Sequence, residues 1–281
     1  MSDRLFPIVE REVRRLGGGG AELYARHARV RRFEARDGEI DSIHRSDSLS
    51  LSLRVFRNGR MGFSYGFGEE NETLRRMVEA AVFGADASDP EEAHRLPSDR
   101  VPVPPLSLCD PAAGRRDDRE LCAFACELER HALAADPRMK RVRSATLRET
   151  VAEDRFWNSD GRTGERRESM VLAAVDSVAE EGGEAQTGYG FGFARDVARL
   201  SAETIGSEAA GKALRMLGSR PLRSGRAAAI LENGAASDLL EVLAPSFLAS
   251  NVGKGKSMLA GKRDTEVASA GVTITDDPLD P

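Results

Sequence analysis

The chain has 281 residues, a formal net charge of −5, 40% hydrophobic and 5% aromatic residues, and three cysteines. That length suits one large domain or two modest ones with an aliphatic core that needs no disulfide staples. The acidic balance argues against a general nucleic-acid or acidic-membrane surface, the odd cysteine count fits a reducing cytoplasm, and no window approaches the roughly 18 apolar residues of a membrane span.

The opening "MSDRLFPIVEREVRRLGGGG" is charged throughout and has no signal-peptide core. Asp3 is placed to cap a first helix carrying Leu5, Ile8, Val9, Val13 and Leu16 at helical spacing, and Gly17 to Gly20 ends it. From Ala21 the period changes to two. In "LSLSLRVF", Leu49, Leu51, Leu53 and Val55 share one face. Asp37-Gly38 and Asn58-Gly59 are tight-hairpin dipeptides, so 21–67 reads as an antiparallel meander, followed by a helix over 72–82. Basic clusters occur at "RHARVRR" and "RMKRVR", but acidic residues interrupt most of the neighbouring stretches.

Residues 87–117, with "VPVPPLSL", read as a Pro-rich surface connector, and Asp118 opens a helix that stops before Pro137. Strands are expected over 141–151, 155–158, 165–178 and 186–193, with turns at Ser159-Asp160-Gly161 and Glu181-Gly182-Gly183, and a helix over 202–217. The first meander closes on "GFSYGFG" and the second on "GYGFGFARD", each followed by a helix. That is an internal duplication. The fold class is α+β: residues 1–220 form an N-terminal domain of two meanders, 1–86 and 118–220, joined by the connector. Residues 221–281 then begin a β-rich C-terminal domain, with a strand in "GRAAAILENG", a helix in "AASDLLEVLAPSFLAS" and a strand in "GVTITDD". The ending "PLDP" leads to the expectation that this domain continues beyond Pro281.

Cys122, Cys126 and His131, with Cys109, have partial metal-ligand spacing, but the helix face they share reads as core. His27, His44, His94 and His131 are scattered, and no local catalytic-zinc motif exists. The glycines of Gly188 to Phe193 alternate with aromatics, so they lie within a strand rather than in a nucleotide-binding turn. Gly255-Lys256-Ser257 imitates a phosphate loop. The required earlier glycine is Ser250, however, and a helix rather than a strand precedes it.

"FWNSDG" at 156–161, "GYGFGFARD" at 188–196 and the segment from Ser250 onward resemble the TldD/PmbA family, described as modulators of DNA gyrase and as metalloprotease components. The resemblance implies two branches. TldD-like subunits hold a catalytic zinc through a His-Glu-x-x-x-His helix and a later cysteine; PmbA-like (TldE-like) subunits lack that motif and pair with a TldD-like paralogue. By position after "AILENG", Glu241 and Ser246 fall where the histidines would be, and Val242 where the glutamate would be. Valine cannot act as a general base, and serine is a poor zinc ligand. The resemblance therefore implies no catalytic residue, metal or cofactor in this chain, zinc in a TldD-like partner, and extended or unfolded peptides as substrates. Partnering could be with that paralogue or with a second copy, and neither membrane nor nucleic acid is expected. Candidate substrate or interface residues are Tyr189, Gly190, Phe191, Gly192 and Phe193, with Asn251, Gly253, Lys254, Gly255 and Lys256 of the loop. The alternatives are a peptide-binding or regulatory protein acting without a protease partner, and direct DNA or gyrase binding, which salt-dependent DNA binding would reveal.

Overall fold

A computed structural model describes residues 4–97 and 105–277, and the chain divides into two units, Met1–Ser219 and Arg220–Asp280. In the first unit, helix α1 (Leu5–Arg15) turns its Leu5, Val9 and Val13 inward, and Gly17, at φ 77°, ends it. Asp3, the expected cap, lies outside the described residues. Strands β1 (Gly20–Arg36), β2 (Glu39–Arg57) and β3 (Arg60–Phe67) follow as the expected meander. Asp37 and Gly38 (φ 55° and 81°) and Asn58 and Gly59 (φ 50° and 71°) make the two hairpin turns, with both central residues left-handed. Helix α2 (Asn71–Ala87) runs five residues beyond the expected end at Val82, because Ala85 is still buried on the same stripe.

The second repeat has helix α3 (Asp118–Ala134), capped by Asp117, whose side chain accepts from the Arg119 amide. It continues with β4 (Met139–Asn158), β5 (Thr163–Glu181), β6 (Glu184–Ala194) and α4 (Ala202–Met216), which Ser201 caps. The two strands expected within 141–158 are one strand of 20 residues. Residues 152–154, between the two expected strands, stay in the ladder, and arginines from two neighbouring strands neutralise Asp154 there.

All strands pair antiparallel in the order β3-β2-β1-β4-β5-β6, so the two meanders meet along β1 and β4 as one six-stranded sheet. Odd-numbered residues of β1 and β4 face the helices. One core packs α1 and α2 on Leu23, Leu51, Leu53 and Val55; the other packs α3 and α4 on Phe33, Leu147, Ala173 and Val175. Between them, Arg31 joins sheet to connector. Its Nε and Nη2 reach Glu149 at 2.8 and 2.6 Å, and its Nη1 reaches Asp118 and the Arg116 carbonyl. Glu149 also accepts from the Gly114 amide at 3.0 Å, and the Ser169 amide donates to the Leu108 carbonyl at 2.9 Å. The second half of the connector is thus tied to the sheet, since buried polar groups such as Glu149 and Ser169 require partners. The Val101–Pro104 part of the Pro-rich stretch lies outside the described residues.

In the second unit, α5 (Asn233–Leu243) is followed by a 3-10 turn over Ala244–Phe247 and the short α6 (Ala249–Gly253). The strands expected in "GRAAAILENG" and "GVTITDD" are not formed among the described residues. A strand needs a partner for its amides and carbonyls, and no strand of this unit is described that could pair with them.

Candidate functional site

The closing strand β6 lies at one edge of the sheet and, among the described residues, pairs only with β5. Its glycines face α4. A Cβ on Gly188 would come within 2.1 Å of the Ala209 carbonyl oxygen, and one on Gly190 within 2.3 Å of that of Ile205. The alternation then puts Tyr189, Phe191 and Phe193 on the opposite face, 50%, 47% and 68% exposed, with the first two stacked at 5.8 Å. Strand β3 at the other edge repeats the device. Gly62 and Gly66 lie under α2, the Ser64 hydroxyl donates to the Met77 carbonyl at 2.7 Å, and Phe63, Tyr65 and Phe67 are exposed. The face not covered by helices therefore carries an aromatic stripe at each edge, a consequence of the duplication.

Between the stripes lies a charged network that sequence reading did not single out. Arg26 donates to both oxygens of Asp154 at 3.0 Å and to Glu168 at 2.6 Å, while Arg166 reaches Asp154 at 2.7 Å. Burial pushes the Asp154 carboxyl up, but hydrogen bonds from Tyr24 and Arg166 and the two guanidinium charges outweigh it and hold the group below the usual aspartate range. Glu22 is likewise buried and paired with Arg54 at 3.1 Å. The signal in the sequence was the run of polar residues alternating with the core positions of β1 and β4, but only the register shows which of them meet.

The residues singled out near the carboxyl end belong to the second unit. Glu241 and Val242 lie exposed on α5, whereas Ser246 sits on the 3-10 turn Ala244–Phe247, which has Pro245 in its first positions, so regular α-helical register does not connect them. The loop packs back on that turn. The Asn251 side-chain amide donates to the Pro245 carbonyl at 2.8 Å, and the Ser257 hydroxyl donates to the Ser246 carbonyl at 2.5 Å and accepts from the Leu259 amide. Ser257 is buried and thus pins the loop, while Gly255 takes φ 67° and Gly253, Lys254 and Lys256 are exposed. The structure brings Ser246, Asn251 and Ser257 together; Tyr189 to Phe193 belong to the other unit.

One carboxylate, one hydroxyl and a valine are not a zinc donor set, and no three His, Cys, Asp or Glu side chains among the described residues converge as metal ligands. Cys122 and Cys126 pack against the α3–α4 core, and burial raises both thiols. They fill space there rather than face a ligand.

A duplicated antiparallel sheet with helices on one face, followed by a separate unit, defines a class seen in known proteins. Residues 21–85 match PmbA/TldA metallopeptidase domain 1, residues 113–217 the central domain, and residues 224–281 the C-terminal domain. The chain belongs to the PmbA/TldD metallopeptidase family. It is 29% identical over 270 residues to a metalloprotease of Methanothermobacter thermautotrophicus, covering 92% of this chain and 57% of that protein. It is 22% identical to metalloprotease PmbA of Escherichia coli O157:H7, covering 92% and 58%. The chain therefore spans under two thirds of these relatives. Its fold resembles a candidate modulator of DNA gyrase from Bacteroides thetaiotaomicron (TM-score 0.84, 20% identity, 95% of this chain and 62% of that one). It also resembles TldE from Thermococcus kodakarensis (TM-score 0.69, 18% identity, 91% and 58%).

Proposed function

We propose that this chain is part of a PmbA-like (TldE-like) non-catalytic subunit of a zinc-dependent metallopeptidase that acts on extended or unfolded peptides in the cytoplasm. The observation that carries the reading is the residue set Glu241, Val242 and Ser246, which offers no imidazole ligand and has valine at the position of the general base of the family's other branch. Zinc does not fit these residues and would be held by a TldD-like partner. The chain's own contribution is to hold peptide. Among the described residues no strand pairs with the outer edge of β6, which carries Glu184 as its one charged residue and is bordered by Tyr189, Phe191 and Phe193, the features that favour strand addition. The exposed Lys254 and Lys256 are the loop's candidate contacts. Alanine at both should lower the peptidase rate of the assembled pair, and an unchanged rate with unchanged assembly would remove the loop from the account.

Recovery of partners with tagged full-length protein tests the subunit reading. A paralogue carrying His-Glu-x-x-x-His should co-purify; repeated recovery of the protein alone would sink it. The aromatic edge of β6, with a single charged residue, also supports a second reading, a peptide-binding regulatory protein without a protease partner, and that outcome would favour it.

A further inference from the structure

One row of the open sheet face carries positive charge that its neighbours do not balance. Strand register sets His44, Arg32, Arg148, Leu172 and Phe193 side by side on β2, β1, β4, β5 and β6. Like charges directly opposed on a sheet repel, so Arg32 against Arg148 is an unfavourable pair unless an anion lies between them. Among the described residues, Arg148 and His44 have neither an ion-pair nor a hydrogen-bond partner. Arg32 has Glu34 at 3.4 Å, a carboxylate it shares with Arg36. The other arginines pointing to this face from β1, β2 and β5 (Arg26, Arg36, Arg54 and Arg166) are all paired with acids. The flanking rows bring hydroxyls to the site, Ser46 and Thr150 on one side, Ser42 and Thr146 on the other, with Glu34 between the last two. The row is concave, a depression of about 640 Å³ whose walls include Arg32, His44, Ser46, Thr146, Arg148 and Leu172.

We propose that this depression binds the carboxylate of an acidic side chain in an extended peptide, gripped by Arg148 and Arg32. A neighbouring apolar side chain of the same peptide rests on Leu172 and Phe193. The inference rests on the reading that this chain holds peptide, and it places part of that peptide across the open face, inward of the β6 edge by two strands. A carboxylate matches the planar guanidinium fork. A polyanion fits worse: nucleic acid needs cations along its whole track, whereas the adjacent row carries Glu34 and rows farther along the face carry Asp154, Glu168 and Asp176.

The test is fluorescence anisotropy with the full-length protein at low salt, using a labelled heptapeptide of alternating Phe and Thr with one central Glu, and its Gln counterpart. The Glu peptide should bind about fivefold to tenfold more tightly, the worth of one partly exposed charge-assisted pair. Arg148→Gln should abolish that preference and leave the affinity for the Gln peptide unchanged; Arg32→Gln should reduce it. Inorganic phosphate should compete with the Glu peptide only. Equal affinity for the two peptides, or a preference that survives Arg148→Gln, overturns the subsite alone. Binding of neither peptide overturns the peptide-holding reading as well. Arg148-dependent binding of phosphate or of a single-stranded oligonucleotide, without any Glu preference, would assign the row to another ligand and also overturn the subsite.

Discussion

At the residue scale, the most constrained positions are glycines with no room for a side chain and buried acids that have one dedicated partner. A Cβ on Gly62 would lie 1.7 Å from the Ala81 carbonyl oxygen, so α2 must move away from β3 to admit it. Gly62→Ala should cost about 3 kcal/mol in chemical denaturation, the upper range for overpacking, whereas Gly164→Ala, with nothing near its Cβ, should cost far less. Asp196 is buried, accepts from Arg116 at 2.6 to 3.0 Å, and is held by that hydrogen bond below the usual aspartate range despite desolvation. Its folded pKa is therefore below its unfolded value of about 3.9, so the pairing contributes fully above that pH and is lost as pH falls through the folded value. Asp196→Asn should be less stable than the parent at pH 7, and the gap in denaturation midpoint should close as pH falls below about 4 and through the lowered folded value. A gap that is constant with pH would show that the carboxylate charge is not what matters.

At the element scale, the sheet explains both what sequence reading saw and what it missed. Period-two runs and the dipeptides Asp37-Gly38 and Asn58-Gly59 made the meanders legible, because turn chemistry and alternation are local properties. The aromatic-glycine strand was legible for the same reason, down to which face its glycines occupy. The continuity of β4 was not, since it depends on Arg26 and Arg166 reaching Asp154 from other strands. The row of His44, Arg32, Arg148 and Leu172 was equally hidden, as residues far apart in the chain meet only through register. The strands expected near both ends of the second unit failed because alternation alone does not supply a pairing partner. These differences bear on local stability. Amides of β1 and β4, paired on both sides and packed on two cores, should exchange slowest with deuterium, while residues 220–277, where Ser257 is the one buried side chain among those described, should exchange far faster. Comparable protection in the two regions would contradict this ranking.

At the scale of the whole molecule, the duplication yields one sheet with helices on one side and an open face on the other, bordered by two aromatic edges. The second unit has a different character. Leu240, Leu243, Ser246, Phe247, Met258 and Val272 line a largely apolar hollow of about 450 Å³, and Glu241 and Val242 are exposed on α5 beside it. The account thus assigns peptide holding to this chain and bond cleavage to another. Zinc content and hydrolysis of an unfolded peptide test this most directly, measured on the full-length protein alone and after mixing with a paralogue that carries His-Glu-x-x-x-His. The account predicts neither bound zinc nor hydrolysis for the protein alone, and both for the mixture; stoichiometric zinc with hydrolysis by the protein alone would contradict it.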